Sequence, residues 1–273
     1  MCRVVLTLVF FLCSVAQATA QSGFGVAYYD VDKFYDTIPS KFYDDRAYTP
    51  SGRMRWNTER YRRKVENTVR VIDSMAMPVV VLYGVEGEDV VRDIVQASSE
   101  DYSYIHRTQD YNDGLDFAVL YFADKFFVDK VTPWRGALCV EGEAEGRKLA
   151  IVAAHKCSSL GVLFSECKLG EKGCNVILVG RPNKVGFNGL GFEDYLLSAE
   201  SLGRGNRFES SRWIMRDRIA GTIQNEAVAD VYIKSWMLDT QARPWATFEG
   251  NRYRGGYSSS LPIFIYFKEI FEL

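Results

Sequence analysis

The chain holds few side chains in patterns that announce nucleophilic or metal chemistry. Its two histidines, His106 and His155, sit in no recognisable triad, and no GxSxG, HExxH or Walker A segment is present. Gly186-Phe187-Asn188-Gly189-Leu190-Gly191 is rich in glycine. A phosphate cradle, however, joins a strand to a helix N-terminus, so this stretch reads as a loop. Arg60, Arg62, Arg63 and Lys64 form the densest basic stretch. Glu59 and Glu66 are interspersed with it, and it reads as a solvated helix face rather than a phosphate site. With a formal net charge of −2 and no long basic block, the composition carries no strong nucleic-acid signature.

The cysteines depend on where the chain goes. Arg3 precedes an apolar run, Val4 to Val15, and Ala18-Thr19-Ala20 forms the small-x-small pattern read by a signal peptidase. Residues 1–20 are therefore expected to be a cleaved export signal, directing the protein to the periplasm, cell surface or medium. The run falls short of the roughly 20 residues of a membrane helix. A lipoprotein signal at Cys13 is disfavoured because Leu12 precedes it. Residues 21–273 then form one domain, long enough to bury a core. Cys2 and Cys13 leave with the signal. Cys139, Cys157, Cys167 and Cys174 enter an oxidising compartment, where pairing is the default. Three connectivities are open to them, free thiols are the alternative, and their irregular spacing does not suggest zinc.

The elements that must position any site follow from periodicity. A strand is expected over Gly25–Tyr29. A helix begins near Thr58, a candidate N-cap, with Tyr61, Val65, Val69, Ile72 and Met75 on one face and Pro78 as the stop. Val79–Val85 is a continuous apolar run, the mark of a buried strand, and Glu88–Gln96 a second short helix. Strands are expected at 102–106, 115–121, 137–143, 149–155 and 175–180, and around 216–222, 228–233 and 262–267. Two βα units followed by many strands imply packed sheets with helices outside.

Eight segments occur in a telling order. They are VAYYDVDKFYDT from Val26, Arg53–Arg70, VVVLYGVEG from Val79, GLDFAVLY from Gly114, Ala153-Ala154-His155, Val179-Gly180-Arg181-Pro182-Asn183, WIMRDRI from Trp213 and YRGGYSSSLP from Tyr253. This order resembles the endonuclease/exonuclease/phosphatase superfamily, the relatives of deoxyribonuclease I, and especially its exported bacterial branch. The resemblance implies an α/β fold, a four-layer α/β sandwich of two packed, mainly antiparallel sheets flanked by helices. It also implies Mg²⁺-dependent phosphoester hydrolysis as the family activity.

Residue by residue, the match is incomplete. The family's metal-binding Asn corresponds to Asp30, and its metal-binding Glu falls on Gly84. The phosphate-contacting histidine is kept as His155. In the GDxN motif the Asp has become Arg181, while Asn183 survives. Asp217 corresponds to the Asp that orients the catalytic histidine, but the terminal Asp-His pair reads Ser259-Ser260. His155, Asn183 and Asp217 are thus remnants, and losing four catalytic groups together removes orders of magnitude in rate. The expectation is a binding or structural protein on a phosphoesterase scaffold, with Arg181 and Asp30 as ligand contacts and an unidentified ligand or protein as partner. Tyr28, Tyr29, Tyr111, Trp134, Trp213, Trp245 and Tyr257 offer aromatic contact area or core. The alternative is a divergent metal-dependent phosphodiesterase or nuclease, with Asp30 and Glu86, joined by Asp32 and Asp116, as weak metal candidates. The interval from His155 to Gly180 lacks room for the family's long helix. It is expected as a loop that uncovers apolar surface, holding Cys157, Cys167 and Cys174.

Overall fold

The computed structural model describes residues 23–108, 113–169, 173–181, 192–196, 205–209 and 212–268. The signal at 1–20, Tyr111, Asn183 and the glycine-rich 186–191 lie outside the described residues. In chain order the first eight strands are β1 (Phe24–Phe34), β2 (Val79–Val85), β3 (Tyr102–His106), β4 (Asp116–Phe122), β5 (Phe127–Trp134), β6 (Ala137–Ala144), β7 (Arg147–His155) and β8 (Asn175–Arg181). There follow β9 (Glu193–Asp194), β10 (Arg207–Glu209), β11 (Arg212–Ile214), β12 (Arg218–Gly221), β13 (Ala227–Val231), β14 (Phe248–Glu249), β15 (Arg252–Tyr253) and β16 (Ile263–Phe267). The helices are α1 (Thr58–Met75), α2 (Glu88–Ala97) and α3 (Leu160–Glu166).

Two six-stranded sheets result, ordered β13-β16-β1-β2-β4-β3 and β5-β6-β7-β8-β12-β9. Each has one parallel pair at its centre, β1 with β2 and β7 with β8, and antiparallel neighbours elsewhere. A parallel pair needs a crossover, which α1 and α3 provide. Strand alternation separates the layers. Leu138, Val140, Leu149, Ile151, Ile177 and Val179 face the core shared with the first sheet. Ala137, Cys139, Ala150, Val152, Ala154 and Leu178 face outward.

That outward face corrects the reading of the interval after His155 as a loop over uncovered sheet. α3 lies within it, and Leu160, Leu163 and Phe164 are buried against the outer face with Cys157, Cys167 and Leu169. The small residues Ala137, Cys139, Ala150 and Ala154 let this short cover sit close. Trp134 Nε1 donates to Ser159 Oγ at 2.8 Å, tying the start of α3 to β5. β5 itself was not anticipated: its charged, largely exposed residues and Pro133 suit an edge strand rather than an apolar run.

Two details of α1 also differ from expectation. Its N-cap is Asn57, whose Oδ1 accepts from Arg60 N at 3.0 Å, and Thr58 is the first helical residue. Lys64 does not belong to a solvated face. It is 1% exposed, and its ammonium donates to Thr247 Oγ1 at 2.7 Å and to the Tyr257 carbonyl at 2.5 Å. It therefore fastens α1 to the loop that precedes β16. Tyr28, Tyr29 and Tyr257 prove to be core rather than contact surface, each under 5% exposed.

Burial pushes the Lys64 ammonium down to about 8 from its ordinary 10.5, against the pull of Asp32 and Asp30. Between those two values the unfolded chain holds more protons than the folded one, so stability rises with pH across that window. Urea titrations at pH 8 and 9.5 are expected to show a gain of at most about 1.4 kcal/mol per pH unit. The gain should vanish in Lys64→Met; an unchanged slope would refute the assignment.

Candidate functional site

Asp30 near the end of β1, His155 and Arg181 at the ends of β7 and β8, and Asp217 just before β12 converge where the two sheets meet. Parallel pairing sets His155 beside Arg181 in register. The Arg181 guanidinium donates through Nε and Nη2 to Asp217 Oδ1 at 2.9 and 2.7 Å, and through Nη2 to Asp30 Oδ2 at 3.1 Å. Asp217 is fully buried, and its other oxygen accepts from Asn206 Nδ2. Asn206 in turn accepts from the Arg216 backbone at 2.9 Å, which fixes the carboxylate's direction.

Arg207 supplies a second cation that the sequence did not mark. Its Nη2 lies 3.6 Å from Asp30 Oδ2 and 3.2 Å from Asp32 Oδ1, while its Nε donates to Ser260 Oγ at 2.9 Å. Ser259 bonds Asp32 through its backbone N–H and through Oγ at 2.7 Å. Ser258 Oγ donates to the Asp30 carbonyl at 2.6 Å. The Ser-Ser-Ser run thus binds the β1 end instead of presenting an Asp-His pair. Residue type gave no signal for Arg207 or Asn206, because both reach the site from a short hairpin segment with no motif of its own.

Gly84 forms a bulge where the β2–β4 register shifts between Tyr83 and Val85, with φ +95°. A Cβ there would collide with the Asp32 carbonyl oxygen. Asp32 is itself left-handed, at φ 60°. No side chain, and so no carboxylate, fits at this position on this backbone. Glu86 is buried nearby in sequence but serves another purpose. Its Oε2 accepts from Asp36 N at 2.6 Å and its Oε1 from the Tyr43 hydroxyl at 3.0 Å, clamping the loop after β1. Asp116 is buried at the start of β4. Among the described residues, Asp30, Glu86 and Asp116 do not gather within metal-ligand reach of one another.

A Mg²⁺ site of the family type therefore does not fit these residues. Mg²⁺ wants oxygen ligands in near-octahedral array. Here the Asp30 carboxylate faces two guanidiniums, and the position of the second carboxylate is a glycine pressed against backbone. Burial pushes the Asp30 carboxyl up to about 7, with Asp32 and Asp217 adding and Arg181 and Arg207 opposing. Burial likewise lifts Glu86 to about 7. Asp217 and Asp30 hold the Arg181 guanidinium above its ordinary value although burial opposes them.

His155 stacks on Tyr83, centroids 4.0 Å apart and planes 11° from parallel, and its buried Nδ1 has no hydrogen-bond partner among the described residues. Burial, then Arg181, Lys156 and Arg207, depress it to about 3, so the imidazole is neutral at physiological pH. The ring forms one wall of a cavity of about 450 Å³ that Tyr83, Asp113, Asp116, Arg135 and Lys156 also line. Aromatic faces with charges of both signs suit a small polar ligand, and the volume lies within the usual range of ligand pockets.

The pairing expected of the cysteines is not found: the four among the described residues, Cys139, Cys157, Cys167 and Cys174, are free thiols. Cys157 Sγ lies 3.9 Å from Ser159 Oγ, and Cys174 Sγ 3.5 Å from the Asn175 carbonyl oxygen. The sulfurs of Cys139 and Cys167 and a carboxylate oxygen of Glu141 all lie within 4.8 Å of one another.

Two measurements follow from this geometry. The His155 ring resonances are expected to stay flat in an NMR titration from pH 8 to 4.5, whereas an imidazole with pKa between 6 and 7 would titrate fully. Gly84→Ala is expected to cost about 3 kcal/mol or more in chemical denaturation, from backbone collision at positive φ. A neutral Gly84→Ala would show that the bulge yields.

The sequence matches the model of the Endonuclease/Exonuclease/phosphatase family over residues 25–163. No curated protein matches the chain by sequence. Among solved structures, TDP2 of D. rerio humanized by 14 mutations is similar at TM-score 0.56 and 12% identity, covering 90% of this chain and 98% of that one. A mannosyl-6-phosphatase of Bacteroides thetaiotaomicron VPI-5482 is similar at TM-score 0.56 and 13% identity, over 89% of this chain and 98% of that one. An endonuclease/exonuclease/phosphatase family protein from Bacteroides vulgatus gives TM-score 0.57 at 12% identity, over 89% and 98%. At such identities the likeness is one of fold. The family model spans half the chain and the sandwich is shared along most of it, so the protein belongs to the endonuclease/exonuclease/phosphatase family.

Proposed function

We propose that this protein is an exported family member that no longer hydrolyses phosphoesters and acts by binding. The observation that carries the reading is the Arg181 guanidinium held between Asp217 and Asp30. A family hydrolase needs a metal carboxylate and a water-orienting carboxylate. At these positions the chain has Gly84 and Arg181, so a fixed side-chain cation stands against the carboxylates. A guanidinium can pair with phosphate, but it does not supply a metal-bound nucleophile. A neutral, desolvated His155 is also a poor proton acceptor for a hydrolytic step.

The cavity beside His155 supports the binding role. Arg135 and Lys156 offer cations, Asp113 and Asp116 acceptors, and Tyr83 and Phe117 aromatic faces. A ligand of phosphate or sugar type would find complementary groups there without a hydrolytic centre. No described helix is long and apolar enough to cross a membrane, so attachment by such a span is not part of the reading.

Purified protein is expected to show no turnover of a generic phosphodiester or of DNA with Mg²⁺ or Mn²⁺, and no heat of Mg²⁺ binding in calorimetry. Metal-dependent turnover that His155→Ala abolishes would overturn this in favour of a divergent hydrolase. Export is tested separately: the protein recovered outside the cytoplasm should begin at Gln21, and an intact Met1 in the soluble cytoplasmic fraction would contradict it.

A further inference from the structure

On the face of the second sheet opposite the cleft, Cys139 of β6 and Cys167, just past the end of α3, are brought together from 28 positions apart. Their sulfurs lie within 4.8 Å of each other. Cys139 is fully buried and Cys167 is 6% exposed. A disulfide requires sulfurs about 2 Å apart and suitably directed Cβ atoms. No pair among the described residues stands at that distance, but Cys139 and Cys167 are neighbours in one apolar layer. Cys157 and Cys174 each have another polar neighbour.

We propose that Cys139 and Cys167 are joined by a disulfide in the mature protein, and that this bond pins the segment 156–169 to β6. The proposal uses the export reading for its oxidant, a small-molecule or protein disulfide met during folding outside the cytoplasm. One cysteine thiolate attacks the oxidant disulfide, forming a mixed disulfide and releasing one thiol. The second cysteine thiolate then displaces the remaining half. The pair loses two protons and two electrons, and one oxidant disulfide becomes two thiols.

A bound soft cation is the rival use of the same atoms, with Glu141 as third ligand, and the surroundings disfavour it. Lys130 Nζ already donates to Glu141 Oε1 at 2.9 Å, placing a positive charge beside the cluster. Burial, with Cys167 next, holds the Cys139 thiol protonated well above its ordinary range, whereas a metal requires thiolate. Bond formation precedes this burial, while the chain is still folding.

The pinned segment is not remote from the candidate ligand site. Lys156, Ser158 and Ser159 line the cavity beside His155, and Leu160, Leu163 and Phe164 continue from them onto the outer face. A bond at Cys167 fixes the far end of this segment, while its near end forms cavity wall. Oxidation therefore limits how far that wall can move.

The test is to refold residues 21–273 in a buffer of reduced and oxidised glutathione and map the cysteines by mass spectrometry without reductant. The expected result is a loss of two mass units, a single cross-linked peptide pair containing Cys139 and Cys167, and two titratable thiols rising to four after reduction. Reduction should also speed amide exchange over 160–169 and lower Tm by several degrees. In Cys139→Ala/Cys167→Ala, Tm and exchange should be insensitive to reductant. Four free thiols, any other pairing, or Zn²⁺ retained by the unoxidised protein would each overturn the proposal. Because the oxidant is supplied in vitro, a protein found unexported would refute the export reading and leave this measurement decisive on the bond.

Discussion

A carboxylate that loses water must find a cation or a proton, and Asp217 has lost water completely. Arg181 meets that demand with two hydrogen bonds and uses the same nitrogen to reach Asp30. The two carboxylates belong to different halves of the molecule: Asp30 lies near the end of β1, a central strand of the first sheet, while Arg181 ends β8 and Asp217 precedes β12 in the second. The ion pair is therefore a tie across the sandwich. Removing one member of such a group leaves a buried charge without compensation, which costs about 3–5 kcal/mol.

The remaining polar groups arrange themselves around this tie. Arg207 compensates what is left of Asp30 and engages Asp32, and the serines of the 258–260 run hold the same strand end from the other side. The positive field of Arg181, Arg207 and Lys156 then adds to burial in keeping His155 neutral. The result is an electrostatically satisfied floor beside a cavity that still has charged walls.

Much of this was legible in the chain because both layers of signal were strong. The apolar run Val79–Val85 gave β2 at its observed limits, and the 3.6-residue stripe from Val65 to Met75 gave the buried face of α1. The order of the segments around Gly84, Arg181 and Ser258–Ser260 pointed to the family, whose model matches residues 25–163. What could not be read was pairing. Nothing about Lys64, set among other basic residues, distinguishes a lysine whose ammonium meets a loop hydroxyl nearly two hundred positions away. Glu86 looked like a metal candidate because carboxylates near strand ends often are; its partners on the 36–43 loop were invisible in one dimension. α3 escaped because a seven-residue helix carries too few turns for a periodic pattern.

The bulge at Gly84 bears on whether a carboxylate could ever stand at that position. The Asp32 carbonyl fills the volume a side chain would need, and Asp32 takes its left-handed turn while Ser259 and Arg207 hold its carboxylate. Restoring a carboxylate at position 84 would require that turn to unwind, which in turn would release the contacts that hold the strand end. Any single substitution there is thus opposed by backbone before its chemistry is tested. A designer who wanted a carboxylate at position 84 would have to rebuild the β1 turn first and only afterwards choose side chains.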